Sequence, residues 1–177
     1  MSSSPLQFCP GTPAAFCRSD DASLNLQGVV EALLAQQQPL VWLDSARIHQ
    51  VTGRFSILGW DPWLTFSACG GTVTVTTSAS TRTTNGNPLE ALRQTLARYP
   101  GPRHATLPPV GLGLLGCFGY ELNRWIERLP SPKCSTTPAP ELFMFGMRML
   151  VVVDHAAGRS WWVSVIDPYQ PSSRAVR

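Results

Sequence analysis

The sequence predicts an α+β chain: antiparallel sheets with hairpins, packed with about three helices. Three observations carry that prediction. Short runs such as Leu64, Phe66, Ala68 and then Val73, Val75 alternate at the two-residue period of a half-buried strand. Gly70-Gly71 lies between two such runs and reads as a two-residue hairpin turn. Helical spacing interrupts the strands and does not alternate with them, which argues against a doubly wound parallel sheet. There is no internal repeat.

The 177 residues, 44% hydrophobic and 14% charged, suffice for one domain with a real core or for one piece of a larger protein. Residues 1–22 are rich in Ser, Pro and Ala and read as an irregular lead-in without the basic and apolar regions of a signal peptide. Residues 23–167 carry the patterned domain, and 168–177 a tail. Leu26, Val29, Val30, Leu33 and Leu34 recur at helical spacing up to Gln36-Gln37-Gln38 and Pro39. "PLVWLDS" is a short buried strand. "RFSILGW" and "WLTFSAC" are two strands joined by an Asp61-Pro62 turn, and Gly70-Gly71 leads into "TVTVTTS". "TRTTNGN" reads as a polar loop.

"NPLEALRQTLARY" is a helix with Asn87 as cap, Pro88 at its first position, and an apolar stripe of Leu89, Leu92, Leu96 and Tyr99. "VGLGLLGCFGYELNRWIERLP" is a glycine-rich strand entering a short helix whose Leu122, Trp125, Ile126 and Leu129 face the core. Four prolines between Pro130 and Pro140 mark a long loop. "ELFMFGMRMLVVVDHAAGRSWWVSVID" is a long hairpin turning at His155 to Gly158.

Composition excludes several functions. Net charge is +3, and the thirteen arginines and one lysine are scattered singly, so no basic run marks a nucleic-acid or anionic-membrane site. The stretch Leu142 to Val153 is interrupted by Arg148 and too short to span a bilayer. Cys9, Cys17, Cys69, Cys117 and Cys134 are odd in number and widely spaced, and no histidine lies near them. They read as reduced thiols of a cytoplasmic protein, with no metal site.

Gly111-x-Gly113-x-x-Gly116 matches a dinucleotide fingerprint by spacing, but Pro108-Pro109 precedes it and residues 130–140 offer no acidic partner for a ribose. The glycines read as a strand that another backbone approaches closely. Asp154-His155 at the hairpin tip reads as a solvated turn, and Glu121 and Glu127 as helix-surface carboxylates. No catalytic constellation emerges. Arg54, in a sheet this apolar, either holds an internal carboxylate (Asp61, Asp44 or Glu121) or a ligand's. By residue chemistry alone, Ser45 is an ordinary strand-end hydroxyl.

The ordered set "LDSA", "GRFSILGWDP", "NPLEALRQTL", "GLLGCFGYELNRWIERLP" and "VVVDH" resembles the N-terminal region of the chorismate-utilising enzymes, anthranilate synthase component I and aminodeoxychorismate synthase component I. "LDSA" and "ERLP" look more like the latter, and the glutamate of "GYEL" stands where the family usually has aspartate. The resemblance implies a regulatory or structural domain of an enzyme that aminates chorismate to 4-amino-4-deoxychorismate, toward p-aminobenzoate and folate. It implies a magnesium-dependent chorismate-binding domain beyond this chain, so no catalytic residue, metal ligand or cofactor is expected here. It implies a glutamine amidotransferase partner. It also implies a pocket for an aromatic amino acid such as L-tryptophan, whose matching positions are Ser45, Thr52, Gly53, Arg54 and Phe55. The competing readings are the N-terminal domain of an anthranilate synthase component I, in tryptophan biosynthesis, and a stand-alone amino-acid-binding module.

Overall fold

The computed structural model describes residues 15–20 (backbone only), 24–47, 49, 52–101, 108, 113–128, 139–167 and 169. Among them are eight strands, two α-helices and one short 3-10 helix: β1 (Ala15–Asp20), α1 (Leu26–Ala35), β2 (Leu40–Leu43), β3 (Phe55–Cys69), β4 (Thr72–Thr77), β5 (Thr81–Asn85), α2 (Pro88–Arg98), β6 (Leu115–Phe118), the 3-10 helix Tyr120–Trp125, β7 (Leu142–Asp154) and β8 (Arg159–Val165). All the pairings given below are antiparallel. The chain is therefore α+β with sheet dominant.

Two compact units divide it. The first holds Met1–Pro62, Gly101–Leu112 and Met147–Arg177; the second holds Trp63–Pro100 and Gly113–Gly146. In the first, β1 pairs β8 from Ala15↔Val165 to Asp20↔Ser160, β8 pairs β7, and β2 pairs the start of β3 with Leu43 opposite Ile57. Helix α1 forms because Asn25 caps it, its side chain accepting from the Gly28 amide at 3.2 Å. Its Leu26, Val30 and Leu33 pack with Leu58, Val151 and Val153. Trp60 and Trp162 flank this core edge-on, with ring centroids 6.3 Å apart.

In the second unit β3, β4 and β5 form a meander, and β6 pairs the start of β7. Gly70 and Gly71 turn the β3–β4 hairpin with φ of 57° and 80°, values a side chain disfavours. Asn87 caps α2, accepting from the Leu89 amide at 2.9 Å. The core is Trp63, Leu64, Phe66, Ala68, Val73, Leu92, Leu122, Leu142 and Met144.

Several expectations need correction. Asp61-Pro62 is no hairpin turn: β3 runs through it, and Asp61 takes a left-handed φ of 56° within the strand. Its carboxylate accepts from Arg148 at 2.9 Å, and Arg148 also reaches the buried Asp167 at 2.8 Å. "TRTTNGN" begins with β5, whose Thr81, Thr83 and Asn85 hydrogen-bond across to Thr76, Thr74 and Thr72. Part of the lead-in is strand β1.

β2 is half-buried, since β3 is its one partner among the described strands; Leu43 is exposed. Leu34 and Leu96 also lie outward. The third helix is a six-residue 3-10 turn in which Leu122 is buried, and Ile126 just after it is exposed. Gly111, Leu129, the proline-rich stretch around 130–138 and most of the tail lie outside the described residues.

Candidate functional site: a polar corner at the start of β3

The expected site residues fall in the first unit, where the β2–β3 link meets the β7–β8 turn. Ser45 follows β2. Its amide donates to the Ser56 hydroxyl at 3.1 Å, and its own hydroxyl donates to the Phe55 carbonyl at 2.6 Å. The proton of Ser45 is thus spent, and its oxygen retains lone pairs as an acceptor. The link closes on itself at Gly53, where His49 and Gly53 exchange backbone hydrogen bonds at 3.3 Å. A Cβ on Gly53 would stand 2.0 Å from the Arg47 carbonyl oxygen, so only glycine fits there. The exposed Thr52 lies by the same ring, its hydroxyl 3.4 Å from His49 Nδ1.

Arg54 leads into β3, and its guanidinium grips Asp154, the last residue of β7. Nε donates to Oδ1 at 2.9 Å and to Oδ2 at 3.0 Å, and Nη2 donates to Oδ2 at 2.6 Å. Asp154 is 1% exposed and Arg54 42%, so the pair has a buried end and a wet one. Asp154 also accepts from the Ala156 and Ala157 amides, both at 3.1 Å. The hydrogen bonds from Arg54, opposed by burial and aided by these amides, hold the Asp154 carboxyl below the usual aspartate range. The same pairing raises Arg54 above its ordinary value. The outer side of the guanidinium remains open to solvent, with its carbon 4.9 Å from the half-buried Phe55 ring.

Behind this pair, Ser56 is wholly buried. Its hydroxyl donates to Asp44 Oδ1 at 3.0 Å and sits 2.7 Å from His155 Nε2. With that proton given to Asp44, Nε2 is the donor to Ser56, which fixes the His155 tautomer by the network. The His155 amide also donates to the Arg54 carbonyl at 2.8 Å.

The structure therefore brings Ser45, Gly53, Arg54 and Phe55 into one corner, with Thr52 on its outer loop. It corrects the partner of Arg54: Asp61 pairs with Arg148, Asp44 takes Ser56, Glu121 pairs with Arg124 at 3.0 Å, and Asp154 holds Arg54. Asp154 is not a solvated turn residue. Sequence reading passed over Asp154, Ser56 and His155 as parts of this corner. The available signal was "VVVDH": an aspartate directly after three buried valines is buried with them and needs a cation. Among the described residues no group of three His, Cys, Asp or Glu is placed to hold a metal ion. Among the same residues no helix is long and apolar enough to cross a membrane.

No family model matches the chain. Anthranilate synthase component 1 of Synechocystis is 33% identical over 127 residues, covering 71% of this chain and 25% of that protein. The Thermus thermophilus protein of the same name is 34% identical over 122 residues, covering 69% and 26%. Aminodeoxychorismate synthase component 1 of Escherichia coli is 30% identical over 133 residues, covering 73% and 29%. The chain thus spans roughly a quarter of the length of the curated relatives it matches. A solved anthranilate synthase component I from Streptococcus pneumoniae superposes with a TM-score of 0.51 at 22% identity, over 73% of this chain and 28% of that one. That likeness shows a shared fold.

Proposed function

We propose, from the homology of about 70% of this chain to the component I chains of anthranilate synthase and aminodeoxychorismate synthase, that it is the N-terminal regulatory and structural domain of an aminodeoxychorismate synthase component I-like enzyme. The complete enzyme aminates chorismate to 4-amino-4-deoxychorismate, using ammonia from a glutamine amidotransferase subunit, in the cytoplasm. The magnesium-dependent chemistry is assigned to the remainder of the component I polypeptide, and no residue of this chain is given a part in it.

The role of this domain is to bind an aromatic amino acid of the tryptophan class at the polar corner. The observation that carries this reading is the complementary hydrogen-bonding state of Ser45 and Arg54. Ser45, its proton committed to Phe55, offers an acceptor that suits an ammonium. Arg54, clamped on one side by Asp154, offers its exposed side to a carboxylate. The clamp fixes the guanidinium before any ligand arrives, which lowers the ordering cost of binding. Phe55 is the apolar wall, and Thr52 and Gly53 set the loop beside it. Ion pair and ligand contact are thus compatible roles of one arginine.

A second reading, the corresponding domain of an anthranilate synthase, draws on the relatives of that name at 33% and 34% identity. The "LDSA" and "ERLP" forms favour the first. One experiment separates them. The purified chain is combined with the remainder of the E. coli component 1 polypeptide, an amidotransferase subunit, chorismate, glutamine and magnesium, and products are identified by mass. The chain alone should leave chorismate intact, and adding it to the remainder should raise the yield of aminodeoxychorismate. Turnover by the chain alone, or no gain on adding it, would overturn the proposal; a gain seen only when the remainder of the Thermus thermophilus anthranilate synthase component 1 replaces the E. coli one would select the second reading.

A further inference from the structure

The chain's one asparagine–glycine pair, Asn85-Gly86, lies at the end of β5, the outer strand of the meander. Every residue of β5 is exposed, and β4 is its one partner among the described strands. Such a dipeptide has a chemistry of its own. The glycine backbone nitrogen can attack the asparagine side-chain Cγ, because no Cβ on the glycine crowds the approach. The other asparagines, Asn25, Asn87 and Asn123, precede Leu26, Pro88 and Arg124. Leucine and arginine crowd that attack, and proline has no N–H to give up.

The fold occupies both reacting groups. The Gly86 amide donates to the Gly71 carbonyl at 2.9 Å, and the Asn85 Oδ1 accepts from the Thr72 hydroxyl at 3.1 Å. Gly86 takes a φ of 153°, and the space where a Cβ would stand is open. Hydrogen bonds, and not steric cover, therefore restrain the pair. Gly71 is itself fixed. A Cβ on it would meet the Trp125 ring at 3.1 Å, and the Trp125 indole donates to the buried Glu141 at 2.9 Å. An exposed strand end is thus tied to a rigid support by two bonds, and strand ends of this kind open at low free-energy cost.

We infer that Asn85-Gly86 is a self-modification site that these two hydrogen bonds hold in check. When the strand end opens, the Gly86 nitrogen loses its proton to solvent and bonds to Asn85 Cγ. The carboxamide C–N bond breaks, and the nitrogen leaves as ammonia with a proton from water. A cyclic imide remains. Water adds to one of its two carbonyls and opens the ring to isoaspartate or aspartate, so the net change consumes one water and releases one ammonia. The isoaspartyl form lengthens the main chain by a methylene just before the Asn87 cap of α2. It also adds a carboxylate, so the change is a lasting record of time spent open.

The test incubates the 177-residue chain in mildly alkaline buffer, native and unfolded in guanidinium chloride, beside Thr72→Val under both conditions. Far-ultraviolet dichroism confirms that the variant is folded in buffer. Peptide mass mapping reads conversion at residue 85, and electron-transfer fragmentation separates isoaspartate from aspartate. In guanidinium both chains should convert at Asn85 at one rate, with Asn25, Asn87 and Asn123 intact. The native chain should convert about tenfold or more slowly. Native Thr72→Val should be faster than the native parent by about twofold to tenfold, the effect of one lost hydrogen bond. No conversion at Asn85 in guanidinium would overturn the site. A native rate equal to the unfolded one, or unmoved by Thr72→Val, would overturn the restraint. An Asn85 that stays intact in both folded chains would mean that the fold seals the site, and would overturn the inference as well.

Discussion

Replacing Asp154 with Asn tests the physics of the polar corner directly. The amide keeps the volume and one oxygen for the Ala156 and Ala157 amides, but it removes the charge that Arg54 grips. Hydrogen bonds to a charged group contribute roughly 1.5–3 kcal/mol, and the half-wet position of Arg54 places this case near the lower end, about 1.5–2 kcal/mol. For a chain of this size that corresponds to a melting temperature lower by ~3–8 °C at pH 7. The pH dependence has a defined sign. The Asp154 carboxyl is more acidic folded than unfolded, chiefly through its hydrogen bonds with Arg54. Its contribution is therefore complete above the ordinary aspartate range near pH ~4 and drains away as pH falls through the lower folded value. Urea unfolding followed by circular dichroism should show the full gap between wild type and Asp154→Asn at pH 7, narrowing under acid. A variant within ~0.5 kcal/mol of wild type at pH 7, or a gap unchanged on acidification, would refute the reasoning.

Three other substitutions probe the frame. Gly116→Ala would put a Cβ 2.0 Å from the Phe143 carbonyl oxygen and 2.7 Å from the Met144 Cα; a loss of about 1–3 kcal/mol is expected in urea unfolding. That glycine then serves backbone approach, and nucleotide binding weakened by the substitution would say otherwise. Phe66→Ala empties a wholly buried position and should cost about 3–5 kcal/mol, measured as a shift in urea midpoint with unchanged slope. Gly53→Ala forces the link away from the Arg47 carbonyl. Proton exchange at the His49 and Gly53 amides should accelerate, and an unaltered exchange pattern would contradict the closed ring.

Legibility in the sequence followed the locality of each interaction. The Asn87 cap and the Gly70-Gly71 turn depend on a few consecutive residues, and the structure places both as read. β5 was hidden because threonines in a polar stretch signal a loop by composition. Their ladder with Thr74 and Thr76 exists only once the β4–β5 hairpin has closed. β1 pairs through its backbone, which hydropathy does not report. Asp61 shows the limit of a short signal: Asp-Pro between tryptophans suggests a turn, yet β3 runs through it, and the carboxylate pairs with Arg148, 87 residues away. The candidate site followed the same rule. Arg54 stood out as a cation in an apolar sheet, whereas Ser45, Gly53 and Phe55 were named only through the family resemblance. The carboxylate that orients Arg54 lies 100 residues along the chain, where only its apolar company hinted at burial.

The most direct test of the account is a titration of the nitrogen-15-labelled chain with L-tryptophan, followed by amide NMR, which detects even millimolar binding. The account predicts saturable shifts at Ser45 and Thr52 to Phe55, lost in Arg54→Ala, with Thr83 on β5 unmoved. Amides that stay in place at Ser45 and Arg54 in a folded chain at saturating tryptophan, or shifts that survive Arg54→Ala, would mean that the corner is a structural ion pair and reads no ligand.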